Sequence, residues 1–322
     1  MAGLINLRLL TDFFNKIAMI RSLAHVALQV TDLEGSLRHA SDILGMRVVE
    51  RVDGRAYLTL GSQHSTYGGA HHVIEYFEGQ VTALEHVAFR AASAEALEDL
   101  RHRLQKAGVA VRAGEPEPGL SGAIRFKSPC GHEFEVFSGS DHSQKAYTGT
   151  GVRLRRIQHI NLNASELDSM SEFMTAVLGF LVSDYAYVGG EQALVFLRCD
   201  ADHHAAGIGR GTDGLFHVAF EVDSMVELAR LADALGRDGR CLAWGPGRHG
   251  AGDNVATYHT DPSGVPIEVF WDMHRIEDEA WQPRKWSFED YHFINQWGPM
   301  GDVPSLLGIS IPNVKERDQE TV

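Results

Sequence analysis

One short word occurs four times in this 322-residue chain: HVALQV from His25, HVAFRA from His86, HINLNA from His159 and HVAFEV from His217. Each is a run of alternating, β-favouring residues. Histidine opens the polar or small face of the run, and Val or Ile followed by Leu or Phe forms the opposite face. A helix signal follows each strand. DLEGSLRHASDILG begins at Asp32, an N-cap residue type, and ends at Gly45, a C-cap residue type. ELDSMSEFMTAVLG runs from Glu166 to Gly179. The offsets from His25 to His159, from Asp32 to Glu166 and from Gly45 to Gly179 are all 134 residues, so the register holds through a strand and a helix. A second pair of helices, Ser93 to Gly108 and Asp223 to Gly236, follows His86 and His217. The strand-like segments that close each half end in HEFEVF (132–137) and PIEVFW (266–271).

This periodicity predicts an α+β fold of four βαβββ modules paired into two similar domains. The expected divisions are an N-terminal extension over 1–18, a first domain over 19–145, a second over 146–275 and a cap or tail over 276–322. The Gly-, Ser- and Thr-rich stretch 138–152 marks the middle boundary. All five tryptophans lie past residue 243, which suggests that the tail covers the open face of the second domain or builds a subunit contact.

Composition narrows the partners. A net charge of −14 without a basic block argues against nucleic acid and anionic membrane. Three scattered cysteines, Cys130, Cys199 and Cys241, make neither a disulfide framework nor a cysteine-based zinc site, which fits a reducing cytoplasm. Arg8, Asp12 and Lys16 interrupt the apolar N-terminus, which reads as a short amphipathic helix and not as a signal peptide.

His159, His217 and Glu268 fall on three different strands of the second domain. Two imidazoles and one carboxylate that leave open positions are the facial arrangement of non-haem Fe(II) sites. A lone strand histidine is usually structural. Two at repeat-equivalent positions, with a glutamate on a third strand, are harder to explain that way.

The segments RRIQHINLNASELD, GLFHVAFEVDS and GPGRHGAGDNVATYHTDPSGVPIEVF resemble the type I extradiol catechol dioxygenases of the vicinal-oxygen-chelate superfamily, over residues 20–298. The resemblance implies His159, His217 and Glu268 as ligands of Fe(II), with Mn(II) as the alternative. It implies extradiol (meta) cleavage of a catechol by O2 to a 2-hydroxymuconic semialdehyde-type product, in a cytoplasmic homo-oligomer, tetramer or dimer. It makes His204, in the doublet His203–His204, the residue that handles oxygen and delivers a proton. His249 and Tyr258 would hydrogen-bond the substrate oxygens, and His203 is the less expected partner. Thr257 stands before Tyr258 where the family usually carries a larger apolar residue. Relatives that take a catechol with a carboxylate arm have an Arg five residues before the GPGRHG histidine. Here that residue is Trp244, and the tail position of a further Arg falls near Phe293 and Ile294. Trp244, His249, Tyr258 and Phe293 are therefore the expected substrate contacts, and the expected substrate is catechol or an alkyl-, aryl- or halogen-substituted one. A metal-dependent glyoxalase-like isomerase or transferase and a non-catalytic aromatic-binding protein are alternatives on the same fold.

The first domain has His25, His86 and Glu135 at the matching positions, and His72 lies 132 residues before His204. Alignment of SPCGHEFEVF (128–137) on DPSGVPIEVF (261–270) puts Arg125 opposite Tyr258, and AGEPEPGLSG (113–122) falls on the GPGRHG turn without supplying a histidine. These features predict a remnant of duplication, its residues tied up in hydrogen bonds, with no acid or base in place of the missing pair and one catalytic metal per chain; a second metal site on His25, His86 and Glu135 is the rival reading.

Overall fold

The computed structural model describes residues 19–60, 71–115, 117–141, 147–299 and 309–314. The extension over 1–18 and much of the tail beyond 299 lie outside the described residues. Two sheets carry the fold. In the first half the elements are β1 (Ile20–Val30), α1 (Leu33–Arg38), β2 (Met46–Val52), β3 (Arg55–Leu60), β4 (Ile74–Glu78), β5 (Ala83–Ala91), α2 (Ala94–Lys106), β6 (Arg112–Ala113), β7 (Leu120–Lys127) and β8 (Glu133–Ser140). In the second they are β9 (Leu154–Ala164), α3 (Leu167–Glu172), β10 (Leu181–Val188), β11 (Glu191–Arg198), β12 (Ala206–Arg210), β13 (Gly214–Val222), α4 (Met225–Arg237), β14 (Trp244–Arg248), β15 (Val255–Thr260) and β16 (Pro266–Trp271). The tail adds β17 (Arg284–Ser287), α5 (Tyr291–Ile294) and β18 (Ile311–Pro312).

The first sheet runs β2-β3-β4-β1-β5-β8-β7-β6 and the second runs β10-β11-β12-β9-β13-β16-β15-β14 in the same sense, so the four expected modules are present. Among the described residues the tail adds strands to the second sheet, where β17 joins the edge at β10 and β18 pairs with β13, and Asn313 makes a single bridge to Leu84 of β5 in the first.

Local chemistry sets the module ends. The Asp32 carboxylate accepts from the Gly35 amide at 2.8 Å and starts α1. Gly45 and Gly179, at φ +64° and +83°, end the first helix of each half in the left-handed conformation that glycine adopts without Cβ strain. The expected single helix over 32–45 is a correction in detail. Its last turn is π-helical over His39–Ile43, and the same widening recurs at Phe173–Val177.

The apolar faces of both sheets and their helices share one core. Val26, Leu28, Val87 and Phe134 of the first half and Ile160, Val218, Phe220 and Val269 of the second all belong to it, each fully buried. Ring contacts between the halves, Phe89 with Phe180 at 5.5 Å and Phe126 with Phe173 at 6.1 Å, knit the two together. The opposite faces of the sheets, which carry the histidines, are left to form sites.

Polar contacts also cross between the halves. Ser36 Oγ donates to Asp261 at 2.6 Å, and His39 Nε2 lies 3.1 Å from His259 Nε2. Arg240 Nη1 donates to His39 Nδ1 at 2.9 Å, so the His39 proton sits on Nε2 and points at the His259 lone pair. Burial, then the Arg240 charge, drives His39 down to about 3, and burial, with His39 and Arg240 beside it, holds His259 well below its ordinary range. Both are therefore neutral in the fold, whereas an unfolded histidine protonates near about 6.5. Below that pH the unfolded chain binds more protons, so stability falls on acidification, by up to about 1.4 kcal/mol per pH unit for each histidine. We predict a steep loss of melting temperature between about pH 6.5 and about pH 4. His259→Gln should start less stable at neutral pH and show a shallower decline. Thermal melts of both proteins across this range, followed by circular dichroism, check it, and equal slopes would refute the assignment.

Candidate active site

Strand pairing in the second half builds one row across four strands. Tyr258 on β15 faces Glu268 on β16, Glu268 faces Ala219 on β13, and Ala219 faces His159 on β9. Side chains on neighbouring strands at one level stand side by side at about 5 Å spacing. Ala219 in the middle of the row has only a methyl group, which leaves a gap between carboxylate and imidazole. His217, two residues before Ala219, points to the same face and into that gap.

The three donor side chains converge there. Glu268 Oε2 lies 3.1 Å from His159 Nε2 and 3.0 Å from His217 Nε2, and the two imidazole nitrogens are 3.3 Å apart. All three residues are buried. His159 Nδ1 donates to Gln158 Oε1 at 2.7 Å, which leaves its Nε2 as a bare lone pair. Burial lowers the His159 pKa and keeps the ring neutral. Burial would raise Glu268, but the close approach of His159 and His217 outweighs it and holds the carboxylate well below its usual range. The His159 lone pair aimed at a buried carboxylate is repelled unless a cation lies between them. The donor set therefore fits a divalent metal: two imidazoles and one carboxylate, with one side facing a cavity. Asn254 Nδ2 steadies the other carboxylate oxygen at 2.9 Å, and the Tyr258 hydroxyl donates to Oε2 at 2.7 Å.

Two groups flank this centre. On one side the His204 ring lies 4.4 Å from the His159 ring, centre to centre. Its Nδ1 is 3.0 Å from His203 Nδ1, and His203 Nε2 is 3.1 Å from Asp184 Oδ2, which also accepts from Trp286 Nε1 at 2.7 Å. With Asp184 accepting from His203 Nε2, His203 Nδ1 accepts from His204 Nδ1, and His204 is left with a free Nε2 lone pair. Burial, reinforced by His159 and His203, pushes His204 well below the ordinary histidine range, so it is a neutral base. On the other side His249 Nδ1 donates to the Ile294 carbonyl at 2.8 Å, and its Nε2 lies 3.1 Å from the Tyr258 hydroxyl. Trp244 stacks on His249, with centroids 5.0 Å apart and planes within 9°. Burial, with Glu268 beside it, raises the Tyr258 phenol well above its ordinary value and keeps it protonated.

A cavity of about 530 Å³ opens from these groups, lined by His159, His204, His217, His249, Tyr258 and Glu268 among others. Trp244 and Phe293, singled out in the sequence, line it too, with Phe196, Phe216, Phe288 and Ile294. Phe288, Phe293 and Ile294 of the tail thus form part of the cavity wall. Sequence reasoning missed Gln158, Asn254 and Asp184. It also set His203 aside, yet His203 is buried and links His204 to Asp184. The doublet was the available signal for His203, while Asp184 lies on a distant strand and carries none. Arg210 was missed as well. It lines the cavity, with a side chain 47% exposed.

In the first half the same row is present: Arg125 faces Glu135, Glu135 faces Ala88, and Ala88 faces His25. The alignment that set Arg125 opposite Tyr258 thus matches the strand register. One expectation is corrected. The segment 113–122 does place an acid here: Glu117 is an ion-pair partner of Arg125 and lies within 3.6 Å of His25, His72 and His86. It was invisible because the position corresponds to a turn, where side-chain direction depends on loop conformation.

With the geometry in place, comparison with known proteins is informative. The family model described as the Glyoxalase/Bleomycin resistance protein/Dioxygenase superfamily matches residues 22–136 and 156–269, one match in each half. The chain is 28% identical over 316 residues to a protein from Geobacillus genomosp. 3 named manganese-dependent 2,3-dihydroxybiphenyl 1,2-dioxygenase, covering 89% of this chain and 98% of that one. It is 28% identical over 297 residues to a metapyrocatechase from Geobacillus stearothermophilus, covering 87% and 89% of the two chains. Among solved structures, homoprotocatechuate 2,3-dioxygenase from Arthrobacter globiformis superposes with a TM-score of 0.83 at 22% identity, covering 92% of this chain and 93% of that one, a likeness of fold. The two matched halves, each built on the same eight-strand order and the same histidine-bearing row, make this chain a member of the Glyoxalase/Bleomycin resistance protein/Dioxygenase superfamily.

Proposed function

We propose that the chain is an extradiol ring-cleaving dioxygenase that opens a catechol beside its diol and incorporates both atoms of O2, giving a 2-hydroxymuconic semialdehyde-type product. The observation that carries this reading is the convergence of three lone-pair donors, His159, His217 and Glu268, at the wall of an apolar cavity that also holds His204, His249 and Tyr258. In this reading the catalytic unit spans 146–275, with 276–322 as its cap. A bound Fe(II), or Mn(II) as in the name of the Geobacillus relative, would supply a Lewis-acidic, redox-active template for catechol and O2.

The protein groups supply the rest. The free Nε2 of neutral His204 accepts a proton in the cavity, and the chain through His203 to Asp184 stabilises the imidazolium that results. Tyr258 donates to Glu268 now, and its hydroxyl turns to His249 Nε2 or to a substrate oxygen when the carboxylate is engaged elsewhere. The stack of Trp244 on His249 holds that ring in its orientation. A glyoxalase-like isomerase would have less use for this second acid–base group on the opposite side of the centre.

The lining also speaks to the substrate. Phe196, Phe216, Trp244, Phe288, Phe293 and Ile294 favour an aryl or alkyl arm, consistent with the biphenyl diol in the relative's name. A carboxylate against this wall would lose its hydration without a buried partner, and Arg210 is too exposed to replace that hydration fully.

Three outcomes are expected. Glu268→Ala should lose most second-half metal and nearly all turnover, measured by metal analysis and O2 uptake with catechol after anaerobic loading. Full activity in the variant would refute the ligand assignment. His204→Asn should keep its metal but slow ring cleavage by roughly 10²-fold, with Asp184→Asn showing a smaller loss in the same step; single-turnover kinetics after mixing with O2 read this, and unchanged rates in His204→Asn would rule the role out. Across a substrate panel, aryl- and alkyl-catechols should show higher kcat/KM than a catechol with an acetate arm. Preference for the acid would instead assign Arg210 as its partner.

A further inference from the structure

We propose that the first half holds a second divalent cation in a closed, structural site formed by His25, His86 and Glu117, with Glu135 beside it. The donor spacing repeats that of the second half. His25 Nε2 is 3.0 Å from His86 Nε2 and 3.3 Å from Glu117 Oε2, and His86 Nε2 is 3.5 Å from Glu117 Oε1. Two donors bound at about 2.1 Å to one metal at a right angle lie about 3 Å apart. The ligand carboxylate has changed place. Glu135, the counterpart of Glu268, is drawn aside by Arg125 Nε at 2.6 Å, and Glu117 takes over from the segment that in the second half forms the GPGRHG turn.

Two further observations point to a cation. Among the described residues, Glu135 Oε1 is buried without a hydrogen-bond partner, and Glu117 Oε2 has only the ion-pair approaches of His25 at 3.3 Å and of the fully buried His72 at 3.6 Å, neither of them a well-formed hydrogen bond. Charge gives the second. Among the described residues, Glu75, Glu85, Glu117 and Glu135 cluster with Arg55 and Arg125, which pair with them, so four carboxylates face two guanidiniums. A single dication offsets the excess of carboxylates and gives the facing His25 and His86 nitrogens, 3.0 Å apart, a shared partner, with Arg125 Nη2 3.5 Å away from His86 on the carboxylate side.

The difference between the halves follows from Glu117. In the second half the open side of the centre meets a cavity, as a catalytic metal requires. In the first half the chain's own carboxylate fills that side, and the side chains of His25, His86, Glu117 and Glu135 are at most 5% exposed. Closed sites of this kind stabilise structure and do not turn over substrate. This departs from the expectation of a metal-free remnant, which rested on the lack of a histidine in 113–122 and on the fixed Arg125 cation, which here pairs with both carboxylates.

The full-length chain, stripped with chelator and reloaded anaerobically with Mn(II) or Fe(II), tests it by metal stoichiometry and thermal melting. Two equivalents per chain are expected for the unaltered protein, and one each for Glu117→Gln and His217→Ala. The His217→Ala protein should still melt higher with metal than without. Saturation of the unaltered protein at one equivalent with full ring cleavage would overturn the proposal. So would undiminished stoichiometry in Glu117→Gln, or loss of all metal in His217→Ala, a variant that leaves the first half untouched.

Discussion

The second half is organised around a cost that burial imposes. Glu268 is a carboxylate almost wholly removed from water, and two imidazole nitrogens converge on the same oxygen, that of His159 as a lone pair. Left alone that approach is repulsive, and it is held by what surrounds it. Gln158 sets the His159 tautomer, Asn254 and Tyr258 satisfy the carboxylate, and Ala219 keeps the intervening space empty. These residues come from β9, β13, β15, β16 and the loop before β15, so the sheet order itself is what the centre requires. The apolar core on the other face supplies the rigidity: Val218 and Phe220, between and beyond the site residues of β13, are fully buried in it.

Duplication gave the chain two such rows, and small substitutions separated their chemistry. Tyr258 is a neutral donor that can exchange partners; Arg125 at the matching position is a fixed cation that captures Glu135. The second-half turn contributes His249 and leaves a cavity. The first-half segment contributes Glu117 and fills it. The tail reinforces the asymmetry, because β17 and α5 attach only to the second sheet and bring Phe288, Phe293 and Ile294 to the cavity wall. Polar contacts between the halves, His39 with His259 and Ser36 with Asp261, fix them against each other close to β15 and β16.

Much of this was legible in the residue order. The 134-residue offset carried the four modules, and the alternation along HINLNA and HVAFEV put the histidines on the face opposite the core. The spacing from Tyr258 to Glu268 anticipated their pairing across adjacent strands, and Arg125 opposite Tyr258 followed from alignment alone. These features were readable because strand periodicity ties sequence position to side-chain direction. The π-helical turns were not, since one added residue per turn leaves the apolar pattern almost unchanged.

The sequence by itself determined the repeat, the class of fold, the facial donor set in the second half and the loss of its tyrosine partner in the first. Only the tertiary structure decided which carboxylate faces His25 and His86, that Asp184 stands behind His203 and His204, and that Arg210 sits at the cavity mouth. The reason is physical. Backbone hydrogen bonding repeats along a strand and leaves a period in the residue order. The approach of a loop carboxylate, or of an aspartate from a strand twenty residues away, depends on chain closure and packing in three dimensions, and these leave no period to read.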